Sequence, residues 1–266
     1  MQQRPFIVGV LNITPDSFSD GGRYTELDAA RRKAAELLEE GADVIDIGAE
    51  STRPGAKALS PTEEWERLNP ILEALCAAGL GKKLSIDTRN EANAKRIIEC
   101  FEVGWLNNVS GLYSDETMRL IAAQKDLRYV AMHMHKDPEN MQHSPLQGSA
   151  AVQAVTQTFA TYSEQAARLG LKKEQLYLDP GIGFGKDIAG NLQLLGKIPE
   201  WCKSYQCYLG VSRKSFLGKL LNIEVASERD AASKTLEFGL ILLGARAIRT
   251  HWVKPIAEMC KHYFGE

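Results

Sequence analysis

Asp87, Asn107, Asp179, Lys214, Arg249 and His251 each close or directly follow a short apolar run in this chain of 266 residues. Polar side chains at the tails of apolar runs are the ones that a parallel α/β sheet gathers at a single edge. Asp87, Asn107 and Asp179 offer hydrogen-bond acceptors, which deep in a protein must be matched by donors. A planar heterocycle with ring N–H and amino groups supplies such donors, because one carboxylate accepts two of them side by side. Arg213, Lys214, Arg249 and His251, with Arg53 from an earlier loop, read as a cationic group suited to a phosphate or carboxylate. Asn12 and the loop Thr14-Pro15-Asp16 add oxygen ligands of the kind that a Mg²⁺ ion carrying a diphosphate accepts. The residue types thus point to transfer chemistry on the diphosphate ester of a polar heterocycle, and leave the acceptor of the transferred group unnamed.

Eight apolar, β-rich runs must position these groups. They read as strands over Phe6–Ile13, Asp43–Gly48, Lys83–Asp87, Gly104–Val109, Arg128–Met134, Gln175–Asp179, Gln206–Val211 and Arg246–Thr250. Most are apolar nearly throughout, as strands covered on both faces are. Helical patterns alternate with them over Leu27–Glu40, Thr62–Ala77, Asn90–Glu102, Asp115–Gln124, Ala150–Leu169, Ile188–Lys203, Glu228–Leu243 and Val253–Phe264. Gly41, Gly104, Gly170 and Gly244 separate helix from next strand, as short αβ turns require. Eight βα units in a chain of this size predict an α/β fold, a (β/α)₈ TIM barrel, with a doubly wound open sheet as the rival. The unusual residues all follow strands, while the opposite turns are plain. That asymmetry marks an enzyme mouth.

Composition excludes several other classes. A net charge of -2 argues against a nucleic-acid partner. No apolar stretch approaches the ~20 residues that cross a bilayer, and the N-terminus lacks the apolar core of a signal peptide. Five cysteines without C-x-x-C spacing read as reduced thiols of a cytoplasmic protein.

Plainer roles compete at several positions. His133 and His135 would share a strand face and so suggest a divalent metal, but no matching set stands on the other strands. Gly181-Ile-Gly183-Phe-Gly185-Lys186 fits neither nucleotide-loop spacing and reads as a tight turn that presents Phe184. Asp179 also suits turn capping, Asp87 stands at a helix start, and Arg213 suits solvated charge.

In order along the chain, NITPDSFSDGG from Asn12, DIGAESTRPGA from Asp46, SIDTR from Ser85, Asn107, MHMH-x-x-P-x-x-MQ from Met132, LDPGIGFGK from Leu178, GVSRKSF from Gly210 and RTH from Arg249 closely resemble the dihydropteroate synthases. The resemblance runs from Val8 to His251 and implies one pterin-binding TIM-barrel domain over 1–266. It implies condensation of 6-hydroxymethyl-7,8-dihydropterin diphosphate with 4-aminobenzoate, giving dihydropteroate and pyrophosphate. Thr52, Asp87, Asn107, Asp179 and Lys214 would hold the pterin. Asn12, Arg249 and His251 would hold the diphosphate, with Asn12 the ligand to Mg²⁺. Phe18, Thr52, Arg53, Phe184, Lys214 and Ser215 would shape the 4-aminobenzoate site. Asp16, Arg53, Lys214, Arg249 and His251 would carry catalysis.

Asn108, His135-Lys136 and Trp252 depart from the family pattern and would alter the pocket floor or the dimer-side surface. A homodimer is expected through the apolar face of Glu228–Leu243 and the last helix. The alternatives are a methyltetrahydrofolate:corrinoid methyltransferase-like domain, which would not need NITPDSFSDGG or RTH, and a pterin-binding protein without catalysis.

Overall fold

The computed structural model describes residues 3–13, 23–50, 58–136, 140–141 and 143–265. Its eight strands are β1 (Phe6–Asn12), β2 (Val44–Gly48), β3 (Leu84–Asp87), β4 (Trp105–Asn108), β5 (Arg128–Met132), β6 (Leu176–Asp179), β7 (Gln206–Leu209) and β8 (Ala247–Thr250). All pair in parallel and in sequence order, and β1 joins β8 to close the barrel. Among the described residues the helices are α1 (Arg23–Glu39), α2 (Pro61–Ala77), α3 (Glu91–Cys100), α4 (Asp115–Ala123), α5 (Gly148–Arg168), α6 (Ile188–Trp201), α7 (Ser215–Leu221), α8 (Asp230–Leu242) and α9 (Val253–Phe264). The rival open sheet is excluded by the β1–β8 ladder.

The alternation of side chains along a strand sorts the barrel into two shells. Ile7, Ile45, Ile47, Ile86, Leu106, Leu178, Leu209 and Ile248 face out and pack in the main core. Val8, Val44, Trp105, Val130, Tyr177, Tyr208 and Ala247 face in and fill the barrel's lower end, with Phe6 against them. Trp105 and Tyr177 pack at a tilt with 4.6 Å between ring centroids, and the Arg128 guanidinium lies 5.2 Å from the Trp105 ring centroid. At the other end the register sets Asn12 beside Gly48, Gly48 beside Asp87 and Asp87 beside Asn107. An apolar plug below thus supports a polar ring above.

Local chemistry sets the helix starts. Ser60 and Glu63 form a reciprocal capping box before α2, and Asn90, Ser114 and Asp187 cap α3, α4 and α6. Gly104 is required for space rather than for an unusual φ, since an added methyl would stand 2.1 Å from the Lys82 carbonyl oxygen.

Several boundaries differ from the sequence expectation. Lys83 belongs to a single 3₁₀ turn, so β3 begins at Leu84. β5 ends at Met132, which leaves His133 and His135 in a loop rather than on one strand face. The turn Ser227–Arg229 is 3₁₀, so α8 starts at Asp230. α7 has no counterpart in the sequence reading because seven residues are too few to display a helical stripe.

Replacing Trp105 with alanine should cost about 3–5 kcal/mol in urea unfolding, the usual range for emptying a buried aromatic site. A loss below about 1 kcal/mol would show that the plug does not carry the barrel.

Candidate active site

A carboxylate inside β2, Asp46, organises the mouth. It is fully buried, and its Oδ2 accepts from Arg249 Nε at 2.6 Å. Its Oδ1 accepts from the Ser85 hydroxyl at 2.5 Å, and Asn107 Nδ2 donates to Oδ2 at 3.2 Å and to Oδ1 at 3.4 Å. Arg249 Nη2 lies 3.6 Å from Asp87 Oδ2, so one guanidinium faces two acids. Burial, with Asp46 close by, pushes the Asp87 carboxyl up from its usual range, and Arg249 opposes the shift. Burial also works against the charge on Arg249, but Asp46, Tyr208 and Asp87 outweigh it and hold the guanidinium protonated. Asp46 was not singled out from sequence because it lies in mid-strand, away from the strand ends and the loops after them. A lone acid inside the apolar run Val44-Ile-Asp-Ile was the available signal.

The second half of the mouth is built by the turn after β6. Asp179 Oδ1 accepts the Gly181 N–H at 2.7 Å, so the capping role is real. Its other carboxylate oxygen has no part in that bond. Burial raises the Asp179 pKa to about 6, against the Gly181 hydrogen bond, Lys214, Lys186 and Arg249. Gly181, Gly183 and Gly185 all have positive φ, and a methyl on Gly181 would lie 2.0 Å from the His133 carbonyl oxygen. Phe184, in this turn, packs with Val109, Met132 and Met141. Lys214 Nζ sits 4.0 Å from the centroid of that ring. Burial lowers Lys214 to about 8, with Asp179 and Asp87 opposing and Arg249 assisting.

His251 departs from the cationic reading. Burial, then Arg249, Arg213 and Lys214, lower its pKa to about 3, so the imidazole is neutral. Its Nδ1 lies 3.0 Å from the buried Ser212 hydroxyl, which also accepts the His251 backbone N–H at 3.2 Å. A neutral ring either accepts the hydroxyl hydrogen at Nδ1, which puts its own hydrogen on Nε2, or donates from Nδ1 to the hydroxyl oxygen. Arg213 is no solvated charge either. It forms a two-pronged bond to Asp230, at 2.7 and 2.8 Å, that ties the β7–α7 loop to α8.

Asp87, Asn107 and Arg249 therefore meet around Asp46, with Asp179, Lys214 and Phe184 beside them. Asn12 ends β1, exposed at the rim next to Gly48. Ser215 opens α7 and lines a cleft of about 480 Å³ with Gly183, Lys186 and Lys219. Asp16, Phe18, Thr52 and Arg53 lie outside the described residues. Of the positions that depart from the family pattern, Asn108 does not touch the pocket floor. One residue on from Asn107, it faces the opposite side of β4 and donates to Tyr129 Oη at 3.0 Å. Trp252 is exposed just ahead of α9. Among the described residues no three His, Cys, Asp or Glu side chains cluster as a metal cage.

The sequence profile of the pterin binding enzymes matches residues 8–251. The chain belongs to the dihydropteroate synthase family of these enzymes. It is 36% identical to the dihydropteroate synthase of Neisseria meningitidis serogroup C, across 97% of this chain and 91% of that protein. The structure of the Xanthomonas albilineans dihydropteroate synthase with 4-aminobenzoic acid superposes with a TM-score of 0.86 at 34% identity, covering 98% of this chain and 93% of the other. The same enzyme in complex with 7,8-dihydropteroate superposes at 0.82 with 31% identity, over 98% and 93% of the two chains.

A neutral His251 amid three cations should gain a proton when a polyanion arrives. Calorimetric titration with pyrophosphate at pH 6, in buffers of different ionisation enthalpy, should report proton uptake that His251→Gln removes. Uptake that persists in the variant would assign the proton elsewhere.

Proposed function

We propose that this chain is a transferase that joins 6-hydroxymethyl-7,8-dihydropterin diphosphate to 4-aminobenzoate, giving 7,8-dihydropteroate and pyrophosphate in folate biosynthesis. The observation that carries the reading is the paired constellation at the mouth: Asp46–Arg249–Asp87 with Asn107, and Asp179 with Lys214. Asp87, Asn107 and Asp179 are acceptors and donors held rigidly by strand ends, which suits a flat pterin edge. Lys214 would add a further contact to the pterin and, over Phe184, border the 4-aminobenzoate site. Ser215, with Phe18, Thr52 and Arg53, would complete that site.

An aromatic amine is a weak nucleophile, so departure of the diphosphate is the demanding event. In this reading the bond from the exocyclic methylene carbon to the diphosphate oxygen breaks first, and its electron pair leaves with pyrophosphate. The pterin ring delocalises the positive charge, which Asp87 and Asp179 favour electrostatically. The amine nitrogen of 4-aminobenzoate then forms the new C–N bond and loses a proton. The Nε of Arg249 is committed to Asp46, so its outer guanidinium nitrogens, with His251 in its Nε2–H form, are the donors placed for the leaving group. Asp16 and Arg53 would act from the loops above.

A hard cation fits the rim, because Asn12 brings an amide oxygen and the substrate brings the phosphate oxygens. When bound there, Mg²⁺ supplies further neutralisation of the leaving group. Five cysteines without C-x-x-C spacing support a cytoplasmic setting. Leu242 on α8, Leu243 just after it, and Met259 and Tyr263 on α9 are exposed and support a homodimer, which sedimentation would read as about twice the 29.4 kDa chain mass.

Pyrophosphate should appear on mixing both substrates with Mg²⁺. Asp179→Asn should weaken pterin binding by about tenfold to a hundredfold, the effect of ~1–3 kcal/mol for a mispaired buried group. In the parent enzyme kcat/KM should fall as pH drops through about 6, where Asp179 gains a proton and loses acceptor capacity. Substrate labelled with ¹⁸O in the bridging position should scramble its label without 4-aminobenzoate. Retention of the label, or a trapped covalent adduct to the protein, would refute the dissociative route, and pterin binding without turnover would reduce the chain to a binding protein.

A further inference from the structure

Lys186 ends the turn that begins at Asp179, and the reaction set out above gives it no part. Its side chain is almost wholly buried, at 4% exposure. Its Nζ donates to the Gly181 carbonyl at 2.8 Å, the Phe184 carbonyl at 2.9 Å and the His133 carbonyl at 3.2 Å. An ammonium has three N–H groups and no acceptor, so three carbonyls satisfy it completely. A neutral amine has two N–H groups and would turn its lone pair toward the third carbonyl. The geometry therefore calls for the charged form, although burial lowers the pKa to about 7.

Two loops meet at this nitrogen. His133 follows β5, and its backbone N–H also donates to the Asp179 carbonyl at 2.9 Å. Gly181 and Phe184 belong to the turn after β6. A methyl on Gly181 would stand 3.2 Å from Nζ, so the ammonium lies directly against the residue whose N–H holds Asp179 Oδ1. Asn191 completes the frame, accepting the Gly183 N–H at 2.7 Å and donating to the Lys186 carbonyl at 3.1 Å. Lys186 from this turn, Lys214 from the β7–α7 loop and Arg249 from β8 are the cations that act on Asp179. Lys186 in turn feels Asp179 and Lys214, and it acts with His135 on neutral His133.

We propose that Lys186 is a positioning residue whose ammonium charge, through the three carbonyls, holds the glycine turn so that Asp179 stands ionised and correctly aimed for the pterin. The inference rests on the reading of Asp179 as a pterin acceptor. Its test therefore has one readout that needs no pterin.

Protein carrying ¹³C-labelled aspartate carboxyls, with the Asp179 signal identified by its loss in Asp179→Asn, is titrated as the parent, Lys186→Arg and Lys186→Met. Binding of 6-hydroxymethyl-7,8-dihydropterin is measured on the same proteins between pH 5 and 8. Lys186→Met should raise the Asp179 midpoint by about one pH unit and weaken pterin binding about tenfold at pH 6, while Lys186→Arg keeps both near the parent values. An unmoved midpoint in Lys186→Met overturns the role of the charge, and a moved midpoint with unchanged pterin affinity overturns its bearing on substrate. If the parent binds no pterin, the acceptor reading of Asp179 fails, while the carboxyl titration still decides what Lys186 does. Should Lys186→Met not fold, Lys186→Gln, which keeps two donors without charge, takes its place under the same criteria.

Discussion

A carboxylate and a guanidinium lie together in the barrel interior, and most of the mouth is arranged around that pair. Taking two charges out of water costs several kcal/mol for each, and their attraction offsets this only where the remaining lone pairs and N–H groups are also used. Asp46 meets that condition, with Ser85 on one oxygen, Arg249 on the other and Asn107 beside them. One consequence is geometric. Asn107 cannot rotate without abandoning Asp46, so its other amide atom keeps a fixed aim. Another is electrostatic, because Arg249, anchored at Nε, extends toward Asp87 and tempers the repulsion between the two acids.

The pair is held by strands, not loops, and that choice suits its task. Asp46 and Ser85 are register partners on β2 and β3, and Arg249 stands on β8 beside Val8 of β1. Beneath them Trp105, Tyr177 and Tyr208 form an aromatic plug that fills the lower end of the barrel. Donors and acceptors preset in this way need no reorganisation as charge develops on a substrate. The adjustable parts sit one level up. The β6–α6 turn depends on three glycines and one buried lysine, and the β7–α7 loop is fastened to α8 through Arg213 and Asp230.

Much of this was legible in the sequence, for physical reasons. Strands covered on both faces show as unbroken apolar runs, and a polar residue at the tail of each run had to reach the common mouth. Asp87, Asn107, Asp179, Lys214 and Arg249 were found on that argument and do converge. The same argument hid Asp46, because a rule tuned to run ends passes over an acid in mid-strand. Alternation alone would have placed Asn108 on the outer face once Asn107 faced in. The charge on His251 was not legible, since it depends on burial and on three neighbouring cations, one on β8 and two in the β7–α7 loop. Nor was the part played by Lys186, whose partners are backbone carbonyls that any sequence would supply. α7 escaped because its single turn or two carries no periodicity.

The central claim is that Asp46 and Arg249 depend on each other, and a double-mutant cycle measures this directly. Urea unfolding of Asp46→Asn, Arg249→Met and the double variant would give the coupling free energy. Each single change should cost about 3–5 kcal/mol, because it strands a buried partner, and the double variant should lose clearly less than the sum. Strict additivity of the two losses would contradict the account.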